Sequence, residues 1–202
     1  MREIVFIDVD TQFDFMLPRG KLYIKNSEDI IPNLKALTAA AYDNDILIVS
    51  TVDRHIKADP EFKEFPPHCL SGIPGQKKIP QTLAKRQVFI PQKILNKGVF
   101  FDKIKGSPQV IFEKNAYDIF VNFNLWRVFR PFRAAFVYGV ALDYCVKYAV
   151  SGLLQLGLEV NLVTDAIKSV DPKQEKPLLA RFSRNGVRLV KTKKVLSQIR
   201  SL

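Results

Sequence analysis

Ala134-Ala135-Phe136-Val137-Tyr138-Gly139-Val140-Ala141-Leu142-Asp143-Tyr144-Cys145-Val146 opens as an apolar run, breaks at Gly139 and passes into a helical pattern. Ala134 to Tyr138 has the unbroken hydrophobicity of a strand covered on both faces. Asp143 stands where a helix N-cap belongs. Tyr144, Val146, Tyr148, Ala149, Leu153, Leu154 and Leu156 then recur at helical spacing until Gly157. This places Cys145 in the first turn of a helix that follows a strand. Unpaired N–H groups and the positive end of the helix dipole favour thiolate over thiol there. The residues alone leave two readings of Cys145 open, a reactive thiolate or a small buried hydrophobe.

The same strand-then-helix alternation extends in both directions. Ile4 to Val9 reads as a buried first strand, followed by a loop with Asp10, Gln12 and Asp14. Ser27 to Asn44 reads as a helix with Ile30, Ile31, Leu34, Leu37 and Ala41 on one face, Ser27 as its cap and Asn44 as its stop. Asp45 to Val52 is a second strand, ending at Asp53. Arg54 to Pro91 holds six prolines and two glycines and reads as irregular, and so long an irregular segment in a compact domain is usually functional. Gln109 to Phe112 is a strand ending at Glu113-Lys114, and Ile119 to Phe129 reads as a helix. Glu159 to Val163 is a strand ending at Thr164-Asp165. Pro177 to Asn185 is a helix stopped by Gly186, Val187 to Val190 a last strand, and Lys193 to Ile199 a terminal helix. Repeated units of this kind predict one three-layer α/β/α domain over residues 1–202 with a mostly parallel central sheet.

The composition excludes several classes. At 47% hydrophobic and 25% charged, the 202-residue chain is neither disordered nor rich enough in long apolar runs to span a membrane, which takes roughly 18–20 residues. Met1-Arg2-Glu3 leads straight into the first strand, without the longer apolar region and cleavage site of a signal peptide. Two cysteines and no export signal predict a cytoplasmic chain with reduced thiols. The net charge of +11 raises nucleic acid or an anionic membrane as a partner. The basic residues are spread from Arg2 to Arg200 with no aromatic-interleaved block, so a solvated basic surface is the preferred account and nucleic acid is set aside.

In open parallel sheets the site lies beyond the carboxyl ends of the strands. Asp10, Asp53, Lys114 and Cys145 each sit at or just beyond such an end. Asp53 and the chain's two histidines, His55 and His68, offer one carboxylate and two imidazoles, a set suited to a divalent transition metal. Two surface histidines on a loop are the alternative. Cys69 is left out of that set because adjacent residues of an extended chain point to opposite sides.

These motifs together resemble the cysteine amidohydrolases of the isochorismatase-like superfamily, and most of all its nicotinamidase/pyrazinamidase branch. The resemblance runs from the first strand to about Asp171. Asp10-Thr11-Gln12-Phe13-Asp14-Phe15 is similar to the family's D-x-Q-x-D-F opening, which implies Asp10 as the catalytic carboxylate. Thr51-Val52-Asp53-Arg54-His55 and Phe65-Pro66-Pro67-His68-Cys69 resemble its metal-binding segments, which implies Asp53, His55 and His68 as ligands of one divalent ion, zinc before iron or manganese. Lys114 occupies the place of the catalytic lysine, although Asn115 and Ile119 depart from the glycine and serine usual nearby. Gly139 to Val146 resembles the nucleophile segment, with Leu142 where threonine is commoner. The match implies Cys145 as nucleophile, a cis Val140–Ala141 peptide, and an oxyanion hole from the N–H groups of Ala141 and Cys145. Val163-Thr164-Asp165-Ala166 fits a late strand of the family.

The implied activity is hydrolysis of nicotinamide to nicotinate and ammonia through a cysteine thioester. Phe13 is a candidate to stack on the substrate ring, or else ordinary core packing. Rival expectations are another small-amide hydrolase of the same fold, an isochorismate hydrolase, against which the histidine pair argues, and a non-catalytic basic nucleic-acid-binding protein. A homo-oligomer is compatible with all of these.

Overall fold

The computed structural model describes residues 3–199, so the expected lead-in Met1-Arg2 and the terminal Arg200 lie outside the described residues. Seven strands form one sheet: β1 (Ile4–Val9), β2 (Ile48–Asp53), β3 (Gln87–Ile90), β4 (Gln109–Lys114), β5 (Ala134–Val140), β6 (Glu159–Lys168) and β7 (Arg188–Val190). Their order is β3-β4-β2-β1-β5-β6-β7, and every neighbouring pair is parallel. The central strands are continuous apolar runs because helices cover both faces.

The six α-helices are α1 (Phe13–Met16), α2 (Ile31–Asp43), α3 (Lys97–Ile104), α4 (Lys147–Gln155), α5 (Pro172–Arg184) and α6 (Thr192–Ile199). Alternation along β1 sends Val5, Ile7 and Val9 into one core with Phe100 of α3, Val150 and Leu153 of α4 and Phe182 of α5. It sends Phe6 into the other core, with Leu34 and Leu37 of α2 and Val195 of α6. This is the three-layer arrangement expected.

The chain moves outward from β1 through β2 to β3 at the edge, fills the gap with β4, and returns to the opposite side of β1 as β5. That reversal opens a crevice at the carboxyl ends of β1 and β5. Gly139 makes the closure there possible. Its φ is +111°, and a Cβ at this position would overlap the backbone of Val9 on β1.

Several local expectations need correction. Ser27 does not cap a helix: residues 27–30 form a 3-10 turn, the Ser27 hydroxyl donates to the carbonyl of Phe15, and Pro32 marks the true start of α2. Residues 119–129 are two 3-10 turns, Ile119–Val121 and Leu125–Arg127. Asn122 donates there to the carbonyls of Ile90, Pro91 and Glu113, and Asn124 to that of Lys93, so side chains compete with a helical ladder. The segment 54–91 is irregular only to residue 86, since β3 pairs with β4. Strand β6 runs on to Lys168, and α5 begins at Pro172, capped by the Asp171 carboxylate on Lys173 N–H.

Asp143 is not the cap of the cysteine helix. Its two carboxylate oxygens accept the N–H groups of Val170 and Asp171, each at 2.9 Å, and so tie down the loop after β6. Residues 142–146 form a distorted turn ahead of α4, with Tyr144 at φ −124°, ψ −107°. The Val140–Ala141 peptide is cis. Among the described residues no helix is long and apolar enough to cross a membrane.

Candidate active site

Four strand ends build the site. Asp10 follows β1, Asp53 ends β2, Lys114 ends β4, and Cys145 follows β5. Asp53 and Lys114 are register partners across β2 and β4, so their side chains rise from the same side of the sheet.

Lys114 is the hub. Its fully buried Nζ lies 2.8 Å from Asp10 Oδ2 and 3.4 Å from Cys145 Sγ, and it is paired with Asp53 Oδ1. Asp10, Asp53 and Cys145 offer atoms all within 4.8 Å of one another. Asp10 stands at φ +49°, outside ordinary strand geometry. Its Oδ1 accepts the Thr51 hydroxyl at 2.7 Å, while Oδ2 has Lys114 nearby but no aligned hydrogen-bond donor.

Electrostatics separate the groups. Burial lowers the affinity of Lys114 for its proton, but Asp10, Asp53 and Cys145 outweigh it and hold the ammonium well above its usual range. Burial pushes the Asp10 carboxyl up; Lys114 pulls it down and Asp53 adds to the rise. Burial also acts on Asp53, yet Lys114 and His55 keep it below the usual carboxylate range. The Cys145 thiol is pushed well above its ordinary value by burial, against the pull of Lys114. Burial thus works against the thiolate that the helix terminus and the ammonium favour, and leaves proton removal to a base.

Beside this cluster, Asp53, His55 and His68 each offer a donor atom within 4.8 Å of the others, and all three are buried. His68 Nδ1 is held against the carbonyl of Pro66 at 2.9 Å, which turns Nε2 inward. The Nε2 atoms of both histidines are buried without a hydrogen-bond partner, as ligand nitrogens awaiting a cation would be. Asp59 Oδ2 lies 3.0 Å from His55 Nδ1, at ion-pair distance though not aligned as a hydrogen bond, and Glu61 Oε1 lies 3.5 Å from His68 Nε2. The pull of Asp53 and Asp59 outweighs burial and raises His55 to about 9. The donor set fits one divalent ion.

A cavity of about 380 Å³, counting its open mouth, connects the two clusters. Asp10, Asp53, His68, Ala141 and Cys145 line its floor, and Phe15, Phe65, Tyr117 and Tyr144 its sides. Tyr144 packs edge-on against Phe65 at 5.5 Å and Tyr117 at 5.2 Å.

Of the residues singled out from sequence, Asp10, Asp53, His55, His68, Lys114, Ala141 and Cys145 converge. Phe13 does not line the cavity; it packs on the α2-side core, and Phe15, two residues on, faces the cavity and the His68 ring. Sequence reasoning missed Thr51, Asp59, Glu61, Phe65 and Tyr144. Tyr144, directly before Cys145, had an available signal: an aromatic flanking the nucleophile.

Known proteins resemble this chain in sequence and fold. The chain is 26% identical over 199 residues to the nicotinamidase/pyrazinamidase of Mycobacterium tuberculosis, covering 94% of this chain and 98% of that one. It is 32% identical over 97 residues to isochorismatase family protein 2A of Dictyostelium discoideum, a match spanning 45% of this chain and 46% of that protein. The crystal structure of the pyrazinamidase of Pyrococcus horikoshii in complex with zinc superimposes with a TM-score of 0.76 at 27% identity, over 94% of this chain and 99% of that chain. The family model for the isochorismatase domain matches residues 4–194, and the chain therefore belongs to the isochorismatase family.

Proposed function

We propose that the protein is a cysteine amidohydrolase that converts nicotinamide to nicotinate and ammonia, acting as one domain over residues 1–202 in the cytoplasm. The observation that carries this reading is the single ammonium, Lys114, within reach of the Asp10 carboxylate and the Cys145 thiol, both of which line an aromatic-walled cavity.

The chemistry follows from the resting protonation states. Burial favours the protonated thiol at Cys145, so attack requires a base, and the Asp10 carboxylate offers an oxygen within 4.8 Å of the sulfur. The sulfur bonds to the amide carbon as the thiol proton moves to Asp10, and the N–H groups of Ala141 and Cys145 receive the oxyanion. Asp10 passes the proton to the amide nitrogen, the C–N bond breaks, and ammonia leaves behind a thioester. Water then adds to the thioester with Asp10 as base. Collapse expels the sulfur, which takes the proton back from Asp10, and the product leaves as nicotinic acid, which gives its proton to ammonia or solvent to become nicotinate. Lys114 stays protonated throughout and stabilises each negative charge formed next to it.

Asp53, His55 and His68 would hold the divalent metal, zinc first, given the zinc-bound Pyrococcus pyrazinamidase. When bound, the metal supplies a Lewis-acid contact for a ring nitrogen. Phe15, Phe65 and Tyr144 wall in the ring, a role proposed in place of Phe13.

The test is ammonia release from nicotinamide by the purified protein, with and without a chelator. Turnover that falls on chelation and returns with zinc is the expected outcome. No ammonia from nicotinamide under zinc-replete conditions would refute the assignment of substrate.

A further inference from the structure

Lys78 is a second buried lysine, and nothing in the chemistry above uses it. Its side chain is 1% exposed, and its partner Asp8 is 0% exposed. Lys78 Nζ donates to Asp8 Oδ2 and to Thr11 Oγ1, each at 2.7 Å, and Thr11 Oγ1 donates to Asp8 Oδ1 at 2.9 Å, which closes a triangle. Ser50 Oγ adds a 3.2 Å contact to Asp8 Oδ2. An apolar pair of similar volume would fill this space at no loss of stability, and often with a gain. What an apolar pair lacks is direction.

The surrounding backbone shows what that direction fixes. Residues 75–79 form a strap lying antiparallel along residues 11–14. Phe13 N–H donates to Lys77 O at 2.9 Å, Ile79 N–H donates to Thr11 O at 3.0 Å, and Gln12 bridges Lys78. Gly75 meets the Asp14 carboxylate so closely that a Cβ would overlap it. Beneath the strap the Gln12 amide grips both backbone groups of Asp53. Its Oε1 accepts Asp53 N–H at 2.6 Å, and its Nε2 donates to Asp53 O at 2.8 Å and to Gln76 O at 2.7 Å. Thr11 is thus the covalent neighbour of Asp10 on one side and of the residue gripping Asp53 on the other.

We propose that the Asp8–Lys78 ion pair is a positioning device for the reactive rim. By pinning Thr11 it sets the height of Asp10 directly and of Asp53 through Gln12. The inference rests on the roles given above to Asp10, Asp53 and Cys145.

The experiment replaces both charges together, Asp8→Leu with Lys78→Met, in the full-length protein. Four quantities are measured: thermal midpoint, kcat and KM for nicotinamide, zinc affinity by chelator competition, and the rate of iodoacetamide alkylation at Cys145. A positioning role predicts a cooperative fold and a kcat lower by about 10–100-fold, because small misplacements of reacting groups are that costly. KM, measured with zinc saturating, stays within about threefold, since the groups that hold the ring remain in place. Zinc affinity falls by about 10–100-fold, as on loss of an outer-shell partner, and the Cys145 alkylation rate departs from that of the unmodified protein. A folded double variant with kcat, zinc affinity and alkylation rate all unchanged would overturn the proposal. Should the double variant not fold, Thr11→Val keeps both charges and removes only the linking hydroxyl. It is expected to lower kcat a fewfold at constant KM, and unchanged kcat would be equally fatal. If the unmodified protein hydrolyses no nicotinamide, the substrate reading fails, while zinc affinity and alkylation still decide this inference.

Discussion

Two lysines are buried in this molecule to nearly the same depth, and they differ in what surrounds them. Lys78 meets one carboxylate and one hydroxyl in a closed set, with each Asp8 oxygen receiving an aligned donor. Lys114 meets two carboxylates and a thiol, and leaves an oxygen of Asp10 without an aligned donor. A saturated pair spends its charge on geometry. A pair left short of one donor retains a basic site next to a nucleophile, and the contrast separates a positioning cluster from a reacting one.

Breaking the reacting cluster should have the largest effect. Cys145→Ala is expected to lower nicotinamide turnover by about 10⁵–10⁶-fold, the scale seen when a nucleophile is removed. Its thermal midpoint should stay within a few degrees, as read by calorimetry. Lys114→Met strands Asp10 and Asp53 together, so it should abolish turnover and cost about 3–5 kcal/mol in denaturant unfolding. Lys78→Met strands only Asp8. It should cost stability on the same scale while retaining measurable turnover, and equal activity losses in the two variants would erase the distinction drawn here.

Removing both imidazoles tests the neighbouring set. His55→Ala with His68→Ala should reduce bound metal from near one equivalent to near none by elemental analysis, leaving Asp53 paired to Lys114. The smallest effect concerns pH. Burial holds the Cys145 thiol well above its usual value, so thiolate is the minor form at neutral pH and its fraction grows as pH rises. Alkylation of Cys145 by iodoacetamide should therefore be slow at pH 7 and climb steadily past pH 9. A rate already at its plateau at pH 7 would mean that Lys114 prevails over burial.

What was legible in the sequence divides along physical lines. Strand ends were legible, because buried parallel strands are continuous apolar runs and a charged residue after one is conspicuous. Asp10, Asp53, Lys114 and Cys145 all met as strand order requires. Elements decided by side-chain hydrogen bonds were not. Asn122 and Asn124 dissolve an apparent helix by bonding to carbonyls about thirty residues away in sequence. Asp143 carries the signature of a cap but spends both oxygens on Val170 and Asp171. Strand β3 is only four residues long and half exposed at the sheet edge, too short to announce a period. The burial that opposes the thiolate at Cys145, against the pull of its helical position, has no local sequence signal. The Asp8–Lys78 pair joins residues 70 apart and was invisible for the same reason.

The central claim is that Cys145 forms a bond to the acyl carbon. Acid quenching during the first turnovers, followed by peptide mass measurement, tests this directly. The account predicts a nicotinoyl group on the peptide that contains Cys145, absent from Cys145→Ala and from protein quenched before substrate. Full-rate release of ammonia with no adduct at any quench time, from the unmodified protein and from Cys145→Ala alike, would contradict it.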